Sequence, residues 1–248
     1  MKAENAAAKL LNLSGRLALV TGGRGGIGSE ITRLLTSVGA DVIVVDLPDD
    51  APTTEGEFWP TDLSDRREVA RLGARLREER GRLDLLIHAC GLTRDNYLTR
   101  TTDEDWDDVL HTNLDSAFYL MRETGQLLRE SSTDGSVVLI SSINGERGKI
   151  GQANYCASKA GLIGLGRSAA REFGAWGVRV NIVSPGLIDS PMTARLPPEV
   201  RARAMGEIAL GRAGRPEDVA RAVLFLCSPL SGHITGQVLR VDGGQLIA

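Results

Sequence analysis

The chain has 248 residues, a hydrophobic content of 42% and a formal net charge of −3 at pH 7. This length and composition predict a globular protein with a large core and exclude a mostly disordered chain. The mild net charge excludes a strongly basic surface of the kind that binds nucleic acid or an anionic membrane.

Residues 1–12 are expected to form an N-terminal extension that precedes the domain. They carry Lys2, Glu4 and Lys9 and lack a proper apolar stretch, which argues against a signal peptide. No apolar run in the chain approaches the roughly 18 residues that a membrane-spanning helix needs. The three cysteines form no CxxC pair and suit a reducing compartment. We therefore expect a cytoplasmic protein.

Short apolar runs alternate with longer amphipathic segments along the rest of the chain. Strands are predicted at 16–21, 41–46, 83–90, 135–142, 178–184 and 236–244, with a further short strand near residue 59. Helices are predicted at 26–38, 65–80, 103–130, 152–175 and 216–227. This alternation predicts a parallel, doubly wound α/β sheet in one domain. Another open α/β fold, such as a flavodoxin-like one, fits the same alternation.

A glycine-rich turn joins the first predicted strand to the first long helix. Gly22, Gly26 and Gly28 are spaced G-x-x-x-G-x-G, and small residues let such a turn approach a pyrophosphate at the start of a helix. The Lys-Ser/Thr of a P-loop does not follow the last glycine. Asp46 ends the next strand, where a carboxylate is expected to accept the ribose hydroxyls of NAD. Together these features predict a dinucleotide-binding site.

Two charged residues near the expected adenosine end favour NAD(H), with NADP(H) as the alternative. Asp46 would repel a 2′-phosphate, whereas Arg24 in the glycine turn could pair with one. Two unit charges at about 4 Å near a protein surface interact by about 4 kcal/mol, so the closer side chain decides. We favour NAD because Asp46 ends a strand and is held more firmly than an arginine in a glycine turn.

Six motifs resemble those of the short-chain dehydrogenase/reductases in order and spacing: TGGRGGIG, TDLSD, HACG, HTNL, ISSINGERGKIGQANYCASKAG and VSPGLIDSPMT. The resemblance covers essentially the whole chain from Leu13 onward. Within that family, the segments GLTRDNYLTRTTDEDWDDVLHTNL and GKIGQANYCASKAG are most similar to 3-oxoacyl-ACP reductases and acetoacetyl-CoA reductases.

The resemblance implies a single Rossmann-type domain over 13–248, with about seven parallel strands, helices on both faces and the cofactor at the carboxyl ends of the strands. It also implies a homotetramer in which the helices at 103–130 and 152–175 form one interface. A segment at about 188–212 would cover the substrate.

Site residues follow from the same resemblance, position by position. The catalytic residues would be Asn113, Ser142, Tyr155 and Lys159. The cofactor contacts would be Gly22, Arg24, Gly26, Ile27, Gly28, Asp46, Leu47, Asp62, Leu63, Ala89, Gly91, Tyr155, Lys159, Pro185, Gly186, Ile188 and Ser190. The substrate contacts would be Ser142, Asn144, Gln152 and Tyr155.

Carbonyl reduction requires a hydride, which a nicotinamide carries, and a proton, which the protein must supply. A free tyrosine has a pKa of about 10, and lowering it by about 3 units requires about 4 kcal/mol of preference for the phenolate. The Lys159 ammonium, one helical turn after Tyr155, is expected to lower the tyrosine pKa in this way. Tyr155 would then be the general acid in reduction and the general base in oxidation.

The other two catalytic candidates have structural alternatives. Ser142 is expected to hydrogen-bond the substrate oxygen, although Ser141 is equally eligible by position. The resemblance implies that Lys159 also holds the nicotinamide ribose and that Asn113 positions a water linking Lys159 to solvent. On the residues alone, Asn113 is equally consistent with a polar kink inside a helix. No spacing of histidines suits a metal, so no metal site is expected.

Two features depart from the family pattern. The usual Asn-Asn-Ala-Gly after the fourth strand is HACG at 88–91, and Ala89 in place of asparagine predicts an effect on stability rather than lost activity. Basic residues that would dock an acidic carrier protein are replaced at 131–133, which reads SST, and at Trp176. Fewer cations weaken electrostatic steering of such a partner, so carrier-protein docking stays uncertain.

The predicted function is an NAD(P)(H)-dependent oxidoreductase that interconverts a ketone and a secondary alcohol, with a 3-oxoacyl thioester of ACP or CoA as substrate. The alternative enzyme is an NAD-dependent dehydrogenase of a small cyclic, sugar-like or natural-product alcohol. A non-catalytic dinucleotide-binding regulator is the competing class, and the intact set of catalytic candidates argues against it.

Overall fold

The computed structural model describes residues 6–48, 55–131 and 134–247, with side chains from residue 9 onward. The strands are β1 (Leu17–Thr21), β2 (Asp41–Asp46), β3 (Glu57–Pro60), β4 (Leu85–His88), β5 (Ser136–Ile140), β6 (Arg179–Pro185) and β7 (Val238–Val241). The helices are α1 (Ala6–Leu11), α2 (Gly26–Ser37), α3 (Arg66–Glu79), α4 (Asp103–Leu110), α5 (Ser116–Ser131), α6 (Ile143–Arg147), α7 (Ala153–Gly174), α8 (Pro198–Gly206) and α9 (Pro216–Cys227).

The strands form one seven-stranded sheet in the order β3-β2-β1-β4-β5-β6-β7, and all neighbours are parallel. Leu17 of β1 pairs with Asp41 of β2, and Ala18 of β1 pairs with Leu85 of β4. The chain therefore reverses its direction of winding between β1 and β4. The strand order matches the 3-2-1-4-5-6 of dinucleotide-binding sheets and differs from the flavodoxin-like order 2-1-3-4-5. The predicted doubly wound fold is confirmed, and the crevice at this reversal is where ligands of such sheets bind.

Each face of the sheet has its own hydrophobic core, because successive side chains of a strand point to opposite faces. Leu19 and Ile43 pack with side chains of α3, α5 and α7 on one face. Ala18 and Val20 pack with side chains of α2 and α9 on the other face. Burial on both faces explains why the strands are continuously apolar rather than alternating. Among the described residues, no helix has the length and apolarity needed to cross a membrane.

The structure differs from the predicted elements in three respects. The helix predicted over 103–130 is interrupted by a π-helical turn at His111–Asp115, between α4 and α5. The helices α1, α6 and α8 were not predicted, and α1 lies in the predicted N-terminal extension. The strand predicted at 236–244 ends at Val241, because Gly243 and Gly244 have φ values of +62° and +79° that no extended strand allows.

Candidate active site

The glycine turn lies at the carboxyl end of β1, where the backbone segments approach too closely for side chains. Gly22 has a φ of +62°, and a Cβ on this residue would lie 2.6 Å from the Cα of Cys90. A Cβ on Gly28 would lie 2.0 Å from the carbonyl oxygen of Gly22. Gly25, which precedes α2, provides no side-chain cap for that helix. The turn is therefore a backbone cradle at the positive end of α2, which suits a phosphate group.

The end of β2 brings together the two residues that bear on cofactor choice. One carboxylate oxygen of Asp46 accepts a hydrogen bond from the backbone N of Arg24 at 3.0 Å, and the other accepts from the backbone N of Leu47 at 2.9 Å. The Arg24 guanidinium lies 4.7 Å from the centroid of the Phe58 ring, and the Leu47 side chain is exposed. The carboxylate is thus fixed by the backbone, as expected, and the guanidinium lies at the same edge of the sheet.

The loops after β3 and β4 supply the next set of predicted cofactor contacts. Asp62 accepts a hydrogen bond from the backbone N of Ser64 at 2.9 Å, so its side chain shapes its own turn. Leu63 is buried in the core beneath, and Ala89 packs against the core on the opposite face. These side chains stabilise the loops, which leaves backbone groups to make any contact with a cofactor.

Gly91 lies between two of the predicted catalytic residues. A Cβ on this glycine would lie 3.1 Å from the Nζ of Lys159 and 3.3 Å from the Oδ1 of Asn113. Both distances are shorter than ordinary van der Waals contact, so the absence of a side chain lets the two polar groups approach the chain after β4.

The chain after β6 passes over the glycine turn. Pro185 ends β6 and leads into Gly186, where a Cβ would lie 2.7 Å from atoms of the C-terminal segment. Ile188 is buried, and Ser190 follows it. A Cβ on Gly26 would lie 3.2 Å from the Cβ of Ser190, so this loop lies directly against the glycine turn. The predicted cofactor contacts from five segments of the chain therefore meet at one edge of the sheet.

Ser142 and Tyr155 face each other beside this edge. Ser142 precedes α6 and accepts a hydrogen bond from the backbone N of Asn144 at 3.1 Å. Its hydroxyl also lies near the Tyr155 phenol, where it favours the ionised form and so acts to lower the pKa of that phenol. Ser141 points elsewhere and donates to the carbonyl oxygen of Lys159 at 2.7 Å. The structure therefore places Ser142 rather than Ser141 beside Tyr155, a choice that position in the sequence left open.

The pKa of Tyr155 is not lowered as the sequence predicted. Burial raises it to about 12, and the hydrogen bond from Ser142 opposes this only in part. The Lys159 Nζ lies 5.7 Å from the centroid of the Tyr155 ring and donates to the carbonyl oxygen of Ile140 at 2.9 Å. Its ammonium is therefore held against the end of β5 and does not offset the desolvation of the phenol.

Lys159 is itself buried, with 4% of its surface exposed. Burial lowers the pKa of its ammonium to about 8, and the nearby Cys90 acts in the opposite direction. The lysine therefore changes its charge in a range of pH in which Tyr155 stays protonated.

Asn113 lies in the π-helical turn and is fully buried. Its Oδ1 accepts from the backbone N of Leu92 at 2.8 Å, and its Nδ2 donates to the carbonyl oxygen of Leu92 at 3.1 Å and to the Oγ of Ser158 at 3.0 Å. The side chain therefore holds the loop after β4 against α7. The wider π turn directs it inward, and π turns of this kind often occur at functional sites.

The two remaining substrate candidates, Asn144 and Gln152, hydrogen-bond each other through Nδ2 and Oε1 at 3.1 Å. Two further residues that sequence reasoning missed complete their contacts. Asp95 accepts from Gln152 and Arg147 donates to Asn144. Asp95 and Arg147 lie far apart in the sequence and in no periodic pattern, so only the fold reveals that they share this site.

The HACG segment forms a buried polar cluster beneath Lys159. The Nε2 of His88 lies 2.8 Å from the Oγ of Ser116 and 3.1 Å from the Sγ of Cys90. Burial and the charge of Lys159 lower the pKa of His88 to about 3, so the imidazole is neutral at neutral pH. The substituted segment is thus packed and hydrogen-bonded, and the expected effect of Ala89 on stability stays a prediction.

The face proposed for carrier docking is only partly described. Ser132 and Thr133 lie outside the described residues. The Trp176 ring stacks on Phe173 with centroids 4.6 Å apart, and the Arg129 guanidinium lies 5.7 Å from the Trp176 centroid. The partly buried Trp176, packed on the core residue Phe173 and covered by the Arg129 guanidinium, therefore occupies this part of the face.

Comparison with known proteins gives consistent results. A family model described as Enoyl-(Acyl carrier protein) reductase matches residues 22–245. The chain is 38% identical to the 3-oxoacyl-[acyl-carrier-protein] reductase FabG of Thermotoga maritima, over 96% of this chain and 100% of that protein. It is 41% identical to the acetoacetyl-CoA reductase of a Synechocystis species, over 95% and 98% of the two chains. A crystal structure of a dehydrogenase/reductase from Sinorhizobium meliloti superposes with a TM-score of 0.91 at 30% identity, over 98% of this chain and 99% of the other.

Proposed function

Because the chain belongs to the short-chain dehydrogenase/reductase family of oxidoreductases, we propose that it reduces the keto group of a 3-oxoacyl thioester with NAD(P)H. The observation that carries this proposal is that the Ser142 hydroxyl lies near enough to the Tyr155 phenol to lower its pKa, beside the buried Lys159. A proton donor with a second hydrogen-bond donor next to it is what a carbonyl oxygen needs when it becomes an alkoxide.

The residues present fit a dinucleotide. Because Gly22 and Gly28 lack a Cβ, the turn can pack closely against the chain after β4 and against itself, which forms the tight turn that a pyrophosphate-binding site needs. The glycine turn would hold the pyrophosphate, Asp46 the adenosine ribose, and the backbone at Gly91 and Ile188 the nicotinamide end. When bound, the nicotinamide supplies the hydride.

Tyr155 is proposed as the general acid. Its raised pKa keeps the phenol protonated at neutral pH, which is the form that can donate a proton to the forming alkoxide. The same pKa makes the phenolate scarce, so alcohol oxidation, which needs the basic form, should be slower at neutral pH. Ser142 would donate its hydroxyl proton to the same oxygen and stabilise the developing charge.

Lys159 is proposed to act electrostatically. Its ammonium is buried near the site, where a positive charge is poorly screened and favours a developing alkoxide. Asn113 would hold the loop after β4 close to this ammonium, because the side chains of Asn113 and Lys159 both lie close to Gly91 in that loop. The proposed water link from Asn113 to solvent stays a prediction.

NAD(H) is the proposed cofactor, with NADP(H) as the alternative. The support is that both carboxylate oxygens of Asp46 are fixed by backbone N–H groups at the end of β2, which keeps a negative charge where a 2′-phosphate would bind. The test is the variant Asp46→Ala, and the measured quantity is the ratio of kcat/KM with NAD to kcat/KM with NADP. A wild type that prefers NAD, together with a smaller ratio in the variant, supports this assignment. A wild type that already prefers NADPH contradicts it.

A substrate panel tests the proposed function. Acetoacetyl-CoA is assayed with NADH and with NADPH, beside a set of small cyclic ketones and sugar-like alcohols with the matching cofactors. Reduction of the thioester with the highest kcat/KM supports the proposal. Activity confined to small ketones or alcohols would replace it with the alternative dehydrogenase.

Crotonyl-CoA belongs in the same panel, because the description of the matching family model names an enoyl reductase. The paired donors Ser142 and Tyr155 suit a keto oxygen, so no oxidation of NAD(P)H by crotonyl-CoA is expected. Comparison of kcat/KM for acetoacetyl-CoA and for acetoacetyl-ACP then shows whether the protein, with Trp176 on the expected docking face, favours CoA or the carrier protein.

A further inference from the structure

Four polar side chains form a continuous hydrogen-bonded row beside Ser142 and Tyr155, here called the amide row: Asp95, Gln152, Asn144 and Arg147. The Nε2 of Gln152 donates to the carboxylate of Asp95 at 2.9 and 3.1 Å. The Nδ2 of Asn144 donates to the Oε1 of Gln152 at 3.1 Å. The Nε of Arg147 donates to the Oδ1 of Asn144 at 3.3 Å. The row joins the loop after β4, the residue before α7, and α6.

The two ends of the amide row fix the orientation of both amides between them. An ionised Asp95 can only accept hydrogen bonds, and Arg147 can only donate them. Gln152 must therefore turn its NH₂ toward Asp95, which leaves its oxygen for Asn144. Asn144 must in turn direct its NH₂ toward Gln152 and its oxygen toward Arg147. A flip of Gln152 places two acceptors against each other on one side and two donors on the other, and because Gln152 is buried, water compensates poorly.

Asn144 connects the amide row to the Ser142 hydroxyl. The backbone N–H of Asn144 donates to the Oγ of Ser142 at 3.1 Å and occupies one of its lone pairs. The hydroxyl proton of Ser142 must then point away from this N–H, which leaves it for a partner beside the nearby Tyr155 phenol. A displacement of Asn144 would turn that proton away from the place where the substrate oxygen must lie.

We propose that Asn144 is a positioning residue for Ser142, and that the fixed polarity of the amide row holds Asn144 in place. This role rests on the proposed reductase function and differs from the direct substrate contact that the sequence suggested for Asn144 and Gln152. Asn144 acts through Ser142, so its loss should lower kcat more than it raises KM.

The first variant is Asn144→Asp, which preserves size but replaces the NH₂ donor with an acceptor. Whichever way Gln152 then turns, its oxygen faces a carboxylate, either that of Asp95 or the new one. Because the oxygen of the buried Gln152 then faces another hydrogen-bond acceptor, kcat is expected to fall by about 10- to 100-fold with little change in KM.

The second variant adds Asp95→Asn to Asn144→Asp and reverses the polarity of the row at an unchanged net charge. Asn at position 95 can donate to the Gln152 oxygen, Gln152 can turn its NH₂ toward position 144, and Arg147 still donates to the carboxylate there. Every group is satisfied again, so kcat is expected within about threefold of wild type. Asp95→Asn alone retains the native polarity and should cost much less than Asn144→Asp.

Thermal unfolding of the four proteins tests the amide row without any substrate. The unfolding midpoint is expected to fall for Asn144→Asp and to recover in the double variant.

Recovery of both the midpoint and kcat supports the positioning role. Recovery of the midpoint without kcat overturns it and indicates direct contact of Asn144 with substrate. A double variant with the summed defects of the single ones overturns the amide row itself. A wild type that reduces no ketone refutes the proposed function instead, and leaves the row to be judged by the midpoints.

Discussion

Tyr155 and Lys159 lie one helical turn apart on α7, and burial acts on both against the charged form. It raises the pKa of the phenol to about 12 and lowers that of the ammonium to about 8. Near pH 7 the phenol is therefore neutral and the ammonium charged, so both groups hold their protons. This resting state suits a site that must deliver a proton to a reduced carbonyl.

Tyr155→Phe tests the proton donor directly. The variant keeps the ring and loses the hydroxyl that lies near Ser142. We expect kcat for ketone reduction to fall by about 100-fold or more, because general acid catalysis contributes factors of this size. Binding of NADH, measured by fluorescence titration, should be unchanged because the cradle at the glycine turn is intact.

Tyr119→Phe is the matched control, because Tyr119 lies on α5 against Phe118 and outside the proposed site. It should retain the activity of wild type. Retention of full activity by Tyr155→Phe would contradict the assignment of the proton donor.

The pH dependence of reduction follows from Lys159. Below its pKa of about 8 the ammonium is charged and can stabilise the developing negative charge, and above it this stabilisation is lost. The phenol stays protonated throughout this range, because its pKa is about 12. We therefore expect kcat/KM for reduction to be constant at neutral pH and to decrease as the pH rises through about 8.

Lys159→Arg tests whether the alkaline decrease in kcat/KM comes from Lys159 or from another titrating group. A guanidinium stays charged at alkaline pH, so any residual activity of the variant should lose the alkaline decrease. A wild-type profile that stays flat well above pH 8, measured with saturating cofactor, would show that the charge of Lys159 is not required.

At the scale of elements, α6 is held by contacts on two sides. It has five residues and is too short to be stable alone. Glu146 accepts hydrogen bonds from Arg240 of β7 at 2.7 and 3.0 Å and from Ser184 of β6 at 2.7 Å. Arg147 donates to Glu207, just beyond α8, at 2.8 Å. The segment that begins at Ser142 is therefore fixed to the sheet on one side and, on the other, to the segment at about 188–212 that is predicted to cover the substrate.

Glu207→Gln tests the link between α6 and the substrate-covering segment. The ion pair of Arg147 and Glu207 is partly exposed, with 25% and 36% of the side-chain surfaces accessible, so it contributes roughly 0–1 kcal/mol. Its loss should loosen α8 and raise KM by about fivefold at most, with kcat little changed. Steady-state kinetics decide between the two parameters.

Glu199→Gln is the control for this prediction, because Glu199 lies in the first turn of the same helix, α8. It should leave KM unchanged. A variant Glu207→Gln that lowers kcat and spares KM would mean that the ion pair acts on Ser142 rather than on substrate retention.

Sequence patterns predicted the elements that are buried on both faces and missed those defined by hydrogen bonding. β1 is apolar at nearly every position because both of its faces are covered. The π turn at His111–Asp115 adds one residue to a helical turn without changing the residue types, so 103–130 predicts one helix. The helix α6 is too short to show a period. The tyrosine pKa could not be predicted either, because it depends on how deeply the fold buries Tyr155.

At the scale of the whole molecule, the parallel sheet explains why the site residues are so dispersed in the sequence. All seven strands point the same way, so their carboxyl ends lie at one edge. The glycine turn follows β1, Asp46 ends β2, Gly91 follows β4 and Ser142 follows β5. The strand order, rather than any local motif, brings these groups together. The resemblance of the motifs to a known family could predict the site only because the resemblance also implied the fold of that family.

The assembly state is the last prediction, and it concerns the helices that the sequence analysis assigned to an interface. On α5, Phe118 is 46% exposed, and the Arg122 guanidinium lies 5.4 Å from the centroid of its ring. On α4, Trp106 is 39% exposed. Large aromatic side chains left accessible on neighbouring helices are typical of a surface that a second copy covers. We expect light scattering to give the mass of four copies of the 26.5 kDa chain.

Phe118→Asp tests whether this surface is the interface. A carboxylate buried between two copies loses its hydration, which the neighbouring Arg122 offsets only in part, so the variant should elute as a smaller species. Leu10→Asp, which changes a side chain on α1 that is 39% exposed, should keep the mass of wild type. If wild type has the mass of a single chain, the predicted homotetramer is wrong. If Phe118→Asp keeps the mass of four copies, the interface lies on another face. Cofactor binding, measured on the smaller species, then tells whether the site at the sheet edge is complete within one chain, as its formation from a single sheet requires.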